Sequence, residues 1–138
     1  MLAPYIYVDS HKRSFAELVT VVMVLIVLVL GIVRSNLLST VLALLVATFV
    51  WFTTPFKYYI FHNRIIVAYG LPRRKAIPIG DIKEFGIAKL PMGMRLVIRR
   101  KTGRMILLSP VNLEAFQEKL SEVVATYRAQ NSEKDELL

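Results

Sequence analysis

From Leu18 to Phe56 the chain reads LVTVVMVLIVLVLGIVRSNLLSTVLALLVATFVWFTTPF, and its only charge is Arg34. As one helix this block would extend to roughly 58 Å at ~1.5 Å per residue, about twice the ~30 Å hydrocarbon core of a bilayer. Broken at Gly31 and Arg34-Ser35-Asn36, each half approaches the length of one crossing once its flanks are counted. The stretch therefore predicts a transmembrane helical hairpin over residues 15–56, with helices at about 15–33 and 37–55. Two segments apolar on every face would need more protein to cover them in a soluble core than this chain offers.

The remaining charge is uneven. The net charge is +8 over 138 residues, yet Lys57 to Arg104 alone carries twelve Lys and Arg against Asp81 and Glu84. Basic residues beside a membrane exit mark the cytoplasmic side. His11-Lys12-Arg13 precede the first helix, and Lys57, Arg64, Arg73, Arg74 and Lys75 follow the second, so the expected topology is multi-pass in the cell membrane with both termini cytoplasmic. Residues 1–14 then read as a cytoplasmic lead-in. A cleaved signal peptide fits poorly, because a second apolar run follows at once with no small-residue cleavage site between. Glu17 suits the N-terminus of the first helix. Trp51, Phe52, Phe56, Tyr58 and Tyr59 fall where an aromatic belt belongs, and Pro55 ends the second helix. The chain contains no cysteine, which excludes disulfides, thiolate catalysis and zinc-thiolate sites.

Past Pro55 the pattern changes to short alternating runs separated by turn residues. Lys57–His62 and Arg64–Tyr69 read as strands meeting at His62-Asn63. Arg74–Ile79 reads as an edge strand because of Pro78, Asp81–Ala88 as a fourth, and Met94–Arg100 with Arg104–Leu108 as a hairpin across Lys101-Thr102-Gly103. In that hairpin Met94, Leu96 and Ile98 are expected to face the core, and Arg95, Val97 and Arg99 the solvent. Leu113, Phe116, Leu120, Val123, Val124 and Tyr127 recur at helical spacing and form one apolar stripe, with Ser109-Pro110 or Asn112 as cap. A one-striped helix must lie on something, and the preceding sheet is the available partner. The soluble domain thus spans 57–129, and residues 130–138 read as a disordered tail.

The order of these parts resembles a known family. A two-helix hairpin runs into Tyr58-Tyr59-Ile60-Phe61-His62-Asn63-Arg64-Ile65-Ile66-Val67 and Tyr69-Gly70. Ile77-Pro78-Ile79-Gly80-Asp81-Ile82 follows, and Ser109-Pro110-Val111-Asn112-Leu113-Glu114-Ala115-Phe116 opens the last helix. Over residues 15–128 this is similar to the membrane-anchored bacterial pleckstrin-homology-like (PH-like) families. The resemblance implies an α+β domain: a bent antiparallel sheet or partly open barrel of six to seven strands, closed by a C-terminal helix, with a role in binding or assembly. Six strands are placed above, and the seventh is sought in Gly86–Leu90.

No catalytic constellation emerges, and no catalytic, cofactor or metal residue is assigned. His11 and His62 lie far apart in sequence, and Asp81 and Glu84 are poorly spaced for paired acid and base work. The chemistry-bearing feature is basic: Arg73, Arg74, Lys75, Arg99, Arg100, Lys101 and Arg104 are expected to form one surface for anionic lipid headgroups or an acidic protein partner. Nucleic acid is not expected as a partner, since no helix is suited to a groove and the domain is tethered. The expectation is a non-enzymatic, membrane-anchored binding or scaffolding module. The alternative is a small accessory subunit whose hairpin packs against a membrane-protein partner or a second copy, with Gly31, Ser39, Ala43 and Ala47 as the small residues that permit it.

Overall fold

The computed structural model describes residues 4–70 and 73–136. Ser14 opens the first helix, α1 (Phe15–Val33), with a capping box: Glu17 N–H donates to the Ser14 hydroxyl, and Ser14 N–H donates to the Glu17 carboxylate. Ser35 turns the chain through the left-handed region at φ 52°. Asn36 then caps α2 (Leu37–Thr53) by accepting Ser39 N–H at 3.2 Å. The two helices lie closest near this turn. A Cβ on Gly31 would stand 2.8 Å from Thr40 Oγ1, and Gly31 and Ala43 are the buried residues of the pair. Their large side chains elsewhere are exposed along both helices. Phe15–Val33 is long and apolar enough to cross a membrane, and Leu37–Thr53 is apolar but shorter.

The rest is α+β. Seven strands form two antiparallel sheets, one ordered β1-β2-β3-β4 and the other β5-β6-β7. The first holds β1 (Tyr7–Ser10), β2 (Pro55–Ile60), β3 (Arg64–Tyr69) and β4 (Arg74–Pro78). After one turn of 3-10 helix (Ile79–Asp81) come β5 (Ile82–Leu90), β6 (Gly93–Arg100) and β7 (Met105–Leu108). The chain closes with α3 (Leu113–Glu136).

Three expectations are corrected here. The segment 1–14 is not a mere lead-in: Tyr7–Ser10 is the seventh strand, paired antiparallel to β2 with Tyr7 opposite Ile60 and Ser10 opposite Lys57. Gly86–Leu90 is accordingly no separate strand but the end of β5, in register with β6 as far as Leu90 opposite Gly93. The segment 130–138 is not a disordered tail as far as it is described. Helix α3 continues to Glu136, solvated on all sides from Arg128 to Asp135 except for the Arg128 guanidinium, which caps Lys83 O at 3.1 Å.

The two sheets meet along one seam rather than closing into a barrel. There Lys12 N–H donates to Ser109 O at 2.6 Å, Val111 N–H donates to Ser10 O at 3.0 Å, and His11 bridges to Pro110. Between the sheets lies the core. Ile60, Ile65, Ile77, Leu96 and Ile98 are fully buried beneath Phe116 and Leu120 of α3. The expected stripe on α3 holds in full: Val123 and Val124 are buried as well, and Leu113 and Tyr127 pack against the cluster. Asn112 is the cap, accepting Ala115 N–H at 3.2 Å, while its own N–H reaches Asp9 at 2.8 Å. Met94 departs from its expected place. It is 64% exposed, because β6 begins there beyond the edge of the helix-covered core.

Candidate functional site

The seven basic residues singled out from the sequence do not form one patch. Arg73 and Arg74 stand where β4 begins, beside the end of α2. With Lys57, Tyr59 and Tyr69 they border a pocket of about 370 Å³ whose apolar wall is Trp51 and Phe56. Arg99 and Arg100 belong to the other sheet and are already partnered, Arg99 with Glu84 and Arg100 with Asp81. Asp81 follows the far end of β4, four strand steps or ~13 Å past Arg74. Lys101 and Arg104 lie exposed at the β6–β7 turn, where Lys101 N–H donates to Asp81 O at 2.8 Å. Sequence adjacency grouped these cations; two ion pairs and the length of β4 divide them. Lys75 is the next residue along β4 after Arg74, so its side chain leaves the opposite face of the strand.

The group near α2 is built tightly. Tyr69 N–H donates to Arg73 O at 3.0 Å and Arg73 N–H to Gly70 O at 3.1 Å, which folds the turn. The Arg73 guanidinium sits 5.1 Å from the centre of the Tyr69 ring, a cation–π arrangement that holds it over the strand. Gly70 lies under Trp51. Any Cβ there would collide with the Trp51 carbonyl oxygen and indole, so glycine at this position lets α2 seat on β3. Trp51 in turn meets Phe56 edge-on at 5.0 Å. Lys57, Arg73 and Arg74 form no ion pair among the described residues. The result is a cationic rim on an aromatic floor, suited to an anionic group attached to apolar material.

Sequence reasoning missed a second constellation. His11 Nδ1 lies 2.6 Å from the Tyr58 hydroxyl, and His11 Nε2 lies 3.3 Å from Glu17. Ser109 N–H donates to the same hydroxyl at 3.2 Å. Because the amide can only donate, the Tyr58 oxygen accepts from it, and the contact with His11 Nδ1 is a second hydrogen bond on the same hydroxyl. Tyr58 is 1% exposed, and burial pushes its hydroxyl up to about 12, against the opposing pull of the Ser109 amide. The network ties β1, α1, β2 and the β7–α3 connection at one point. Tyr5-Ile6-Tyr7-Val8, aromatic and β-branched, is a strand-like run ahead of His11, but it does not reveal the partner across the fold.

Among the described residues no group of three or more His, Asp and Glu converges to hold a metal ion. The chain matches no protein-family model and no curated protein.

Proposed function

We propose that this chain is a membrane-anchored, non-enzymatic binding module, in which α1 and α2 cross the bilayer as a hairpin and a PH-like domain holds anionic headgroups at the cytoplasmic surface. The observation that carries the reading is the pairing of β1 with β2. Ser10 stands opposite Lys57, so the chain enters and leaves the apolar hairpin at the same place. A crossing by α1 must therefore be matched by a return, and α2 is the segment available. At 17 residues α2 rises ~26 Å, within the range of a single crossing. Cleavage of α1 as a signal sequence would carry β1 away with it, and its exposed flanks are unlike those of a core helix.

The module reading is supported by Lys57, Arg73 and Arg74 beside Trp51 and Phe56, where an anionic leaflet adds ~1 kcal/mol per basic residue. Seven strands and a closing helix agree in number with the PH-like resemblance. The accessory-subunit reading draws on a different surface. The outer face of the second sheet carries Val97, Met105 and Leu107 around an open Gly86, an apolar trough that a protein partner could cover.

Topology is tested by single cysteines in this cysteine-free chain. With an impermeant thiol reagent on intact cells, Ser35→Cys is expected to label and Ser132→Cys to stay protected. The reverse pattern overturns the orientation. Headgroup binding is tested through Trp51, the single tryptophan. In vesicles containing anionic lipid its quenching by acrylamide should be weaker than in neutral vesicles. That difference should vanish in Arg73→Ala/Arg74→Ala, and in 1 M salt, where the Debye length falls to ~3 Å. Equal quenching in both vesicle types removes the headgroup reading and leaves the subunit reading.

A further inference from the structure

Closed at the turn, the two helices part toward the domain. Between Leu18, Val21 and Leu25 on α1 and Ala47, Val50 and Trp51 on α2 they leave an apolar cleft of about 370 Å³. In water such a cleft would stay poorly filled; in a bilayer the surrounding medium is hydrocarbon, and an unfilled void would forfeit the dispersion contacts of its walls. Its mouth is polar. Arg13 and Glu17 stand there, just outside the apolar run and level with the start of α1. Glu17 is already engaged: its carboxylate accepts Ser14 N–H at 3.2 Å and faces His11 at 3.3 Å. Arg13 is exposed and makes no ion pair among the described residues.

We propose that this cleft seats one acyl chain of an anionic phospholipid whose phosphate meets Arg13. The assignment rests on the membrane reading above. It concerns a site separate from the Arg73–Arg74 rim, which lies beyond the Trp51 and Phe56 side chains that line both. Charge selects the lipid class. Lys12 and Arg13 precede α1 and Lys57 follows α2, while Glu17 is the one acid lining the mouth and has its partners. A headgroup carrying its own ammonium would add positive charge to that setting; one with net negative charge completes it. Cleft size agrees with ordinary ligand sites, which run ~300–1,000 Å³.

The test is native mass spectrometry of the full chain, released from membranes containing equal anionic and zwitterionic phospholipid. The wild type is expected to retain one anionic phospholipid. Val21→Trp, which fills the cleft, should lose it. Arg13→Gln, a surface change, should lower the preference for anionic over zwitterionic lipid about tenfold, the scale of one charge-assisted hydrogen bond. Arg73→Ala/Arg74→Ala should retain the lipid as the wild type does. Equal retention by Val21→Trp and wild type overturns the assignment, and so does equal retention of both lipid classes by the wild type. A lipid-free dimer overturns it in favour of a second copy as the occupant. Alkaline extraction of the same membranes separates the two levels of the claim. A chain that washes off overturns the membrane reading and this site together, whereas an embedded chain without a preferred lipid overturns this site alone.

Discussion

The hydroxyl of Tyr58 accepts the Ser109 N–H and hydrogen-bonds His11 Nδ1, so one buried side chain serves two partners far from it in sequence. Removing it leaves the buried Ser109 N–H without this acceptor and His11 with Glu17 alone. Tyr58→Phe is expected to cost ~1–3 kcal/mol, read as a lower unfolding midpoint of the full chain in detergent. The same hydroxyl gives a pH signature. Its folded value of about 12 lies above the ordinary tyrosine value of 10.0, so the folded form holds the proton after the unfolded chain has released it. Stability from this group is complete below pH ~10 and declines as pH rises from there through about 12, by at most ~1.4 kcal/mol per pH unit. Melting curves at pH 9 and pH 11 should therefore differ less in Tyr58→Phe than in the wild type. Gly70 supplies a second residue-scale expectation. Gly70→Ala must displace Trp51, so its indole emission should shift red as the ring leaves its seat; an unchanged spectrum would mean that α2 does not rest on β3. Neither role could be read from the sequence. A glycine in a Tyr-Gly-Leu-Pro turn and a histidine ahead of an apolar run look ordinary until the partner across the fold is known.

Among the elements, the apolar stripe of α3 was legible as far as Tyr127, although the helix's reach to Glu136 was not. Strand β1 was not legible at all, and the contrast has a physical origin. The α3 stripe repeats over four turns and needs no partner to be recognised, whereas β1 is four residues long and its pairing partner begins at Pro55. A short strand acquires meaning only from the strand beside it. The β6–β7 hairpin sits between these cases: its turn was plain, but the reach of the covering helix, which leaves Met94 outside, was not. Phe116 is the centre of the α3 contact, edge-on to Tyr58 at 6.0 Å and to Tyr7 at 6.1 Å. Phe116→Ala is expected to destabilise the full chain by ~3–5 kcal/mol, measured by chemical unfolding of the domain signal. Deleting the residues after Gln130 should leave that signal unchanged, because the described side chains there are solvated. The basic clusters were legible as charge but not as a surface. Arg99 and Arg100 could not be set apart from Arg73 and Arg74 without knowing that Glu84 and Asp81 stand across from them.

At the scale of the molecule, the apolar hairpin is an insertion into the connection between two neighbouring strands of one sheet. The boundary at residue 57 therefore cuts through the domain. A fragment covering 57–138 lacks β1, the Asp9 contact to Asn112 and the His11 partner of Tyr58, and it is expected not to unfold cooperatively. Joining His11 to Phe56 through a short Asn-Gly turn restores all three without the hairpin, since His11 N–H already donates to Phe56 O at 2.9 Å. That shortened chain should be water-soluble and should melt in one transition; the loss of cooperative unfolding in it as well would mean the hairpin itself holds the domain together. The arrangement also orders events during synthesis. Strand β1 leaves the ribosome before either helix, and under the proposed topology it must wait unpaired while both are made and threaded. On that topology a chain whose second helix failed to return would leave β2 across the bilayer from β1, and the β1–β2 pairing could not form. Completion of the domain would then proofread insertion: mis-threaded copies would stay unfolded and open to proteolysis, and correctly threaded ones would lock shut.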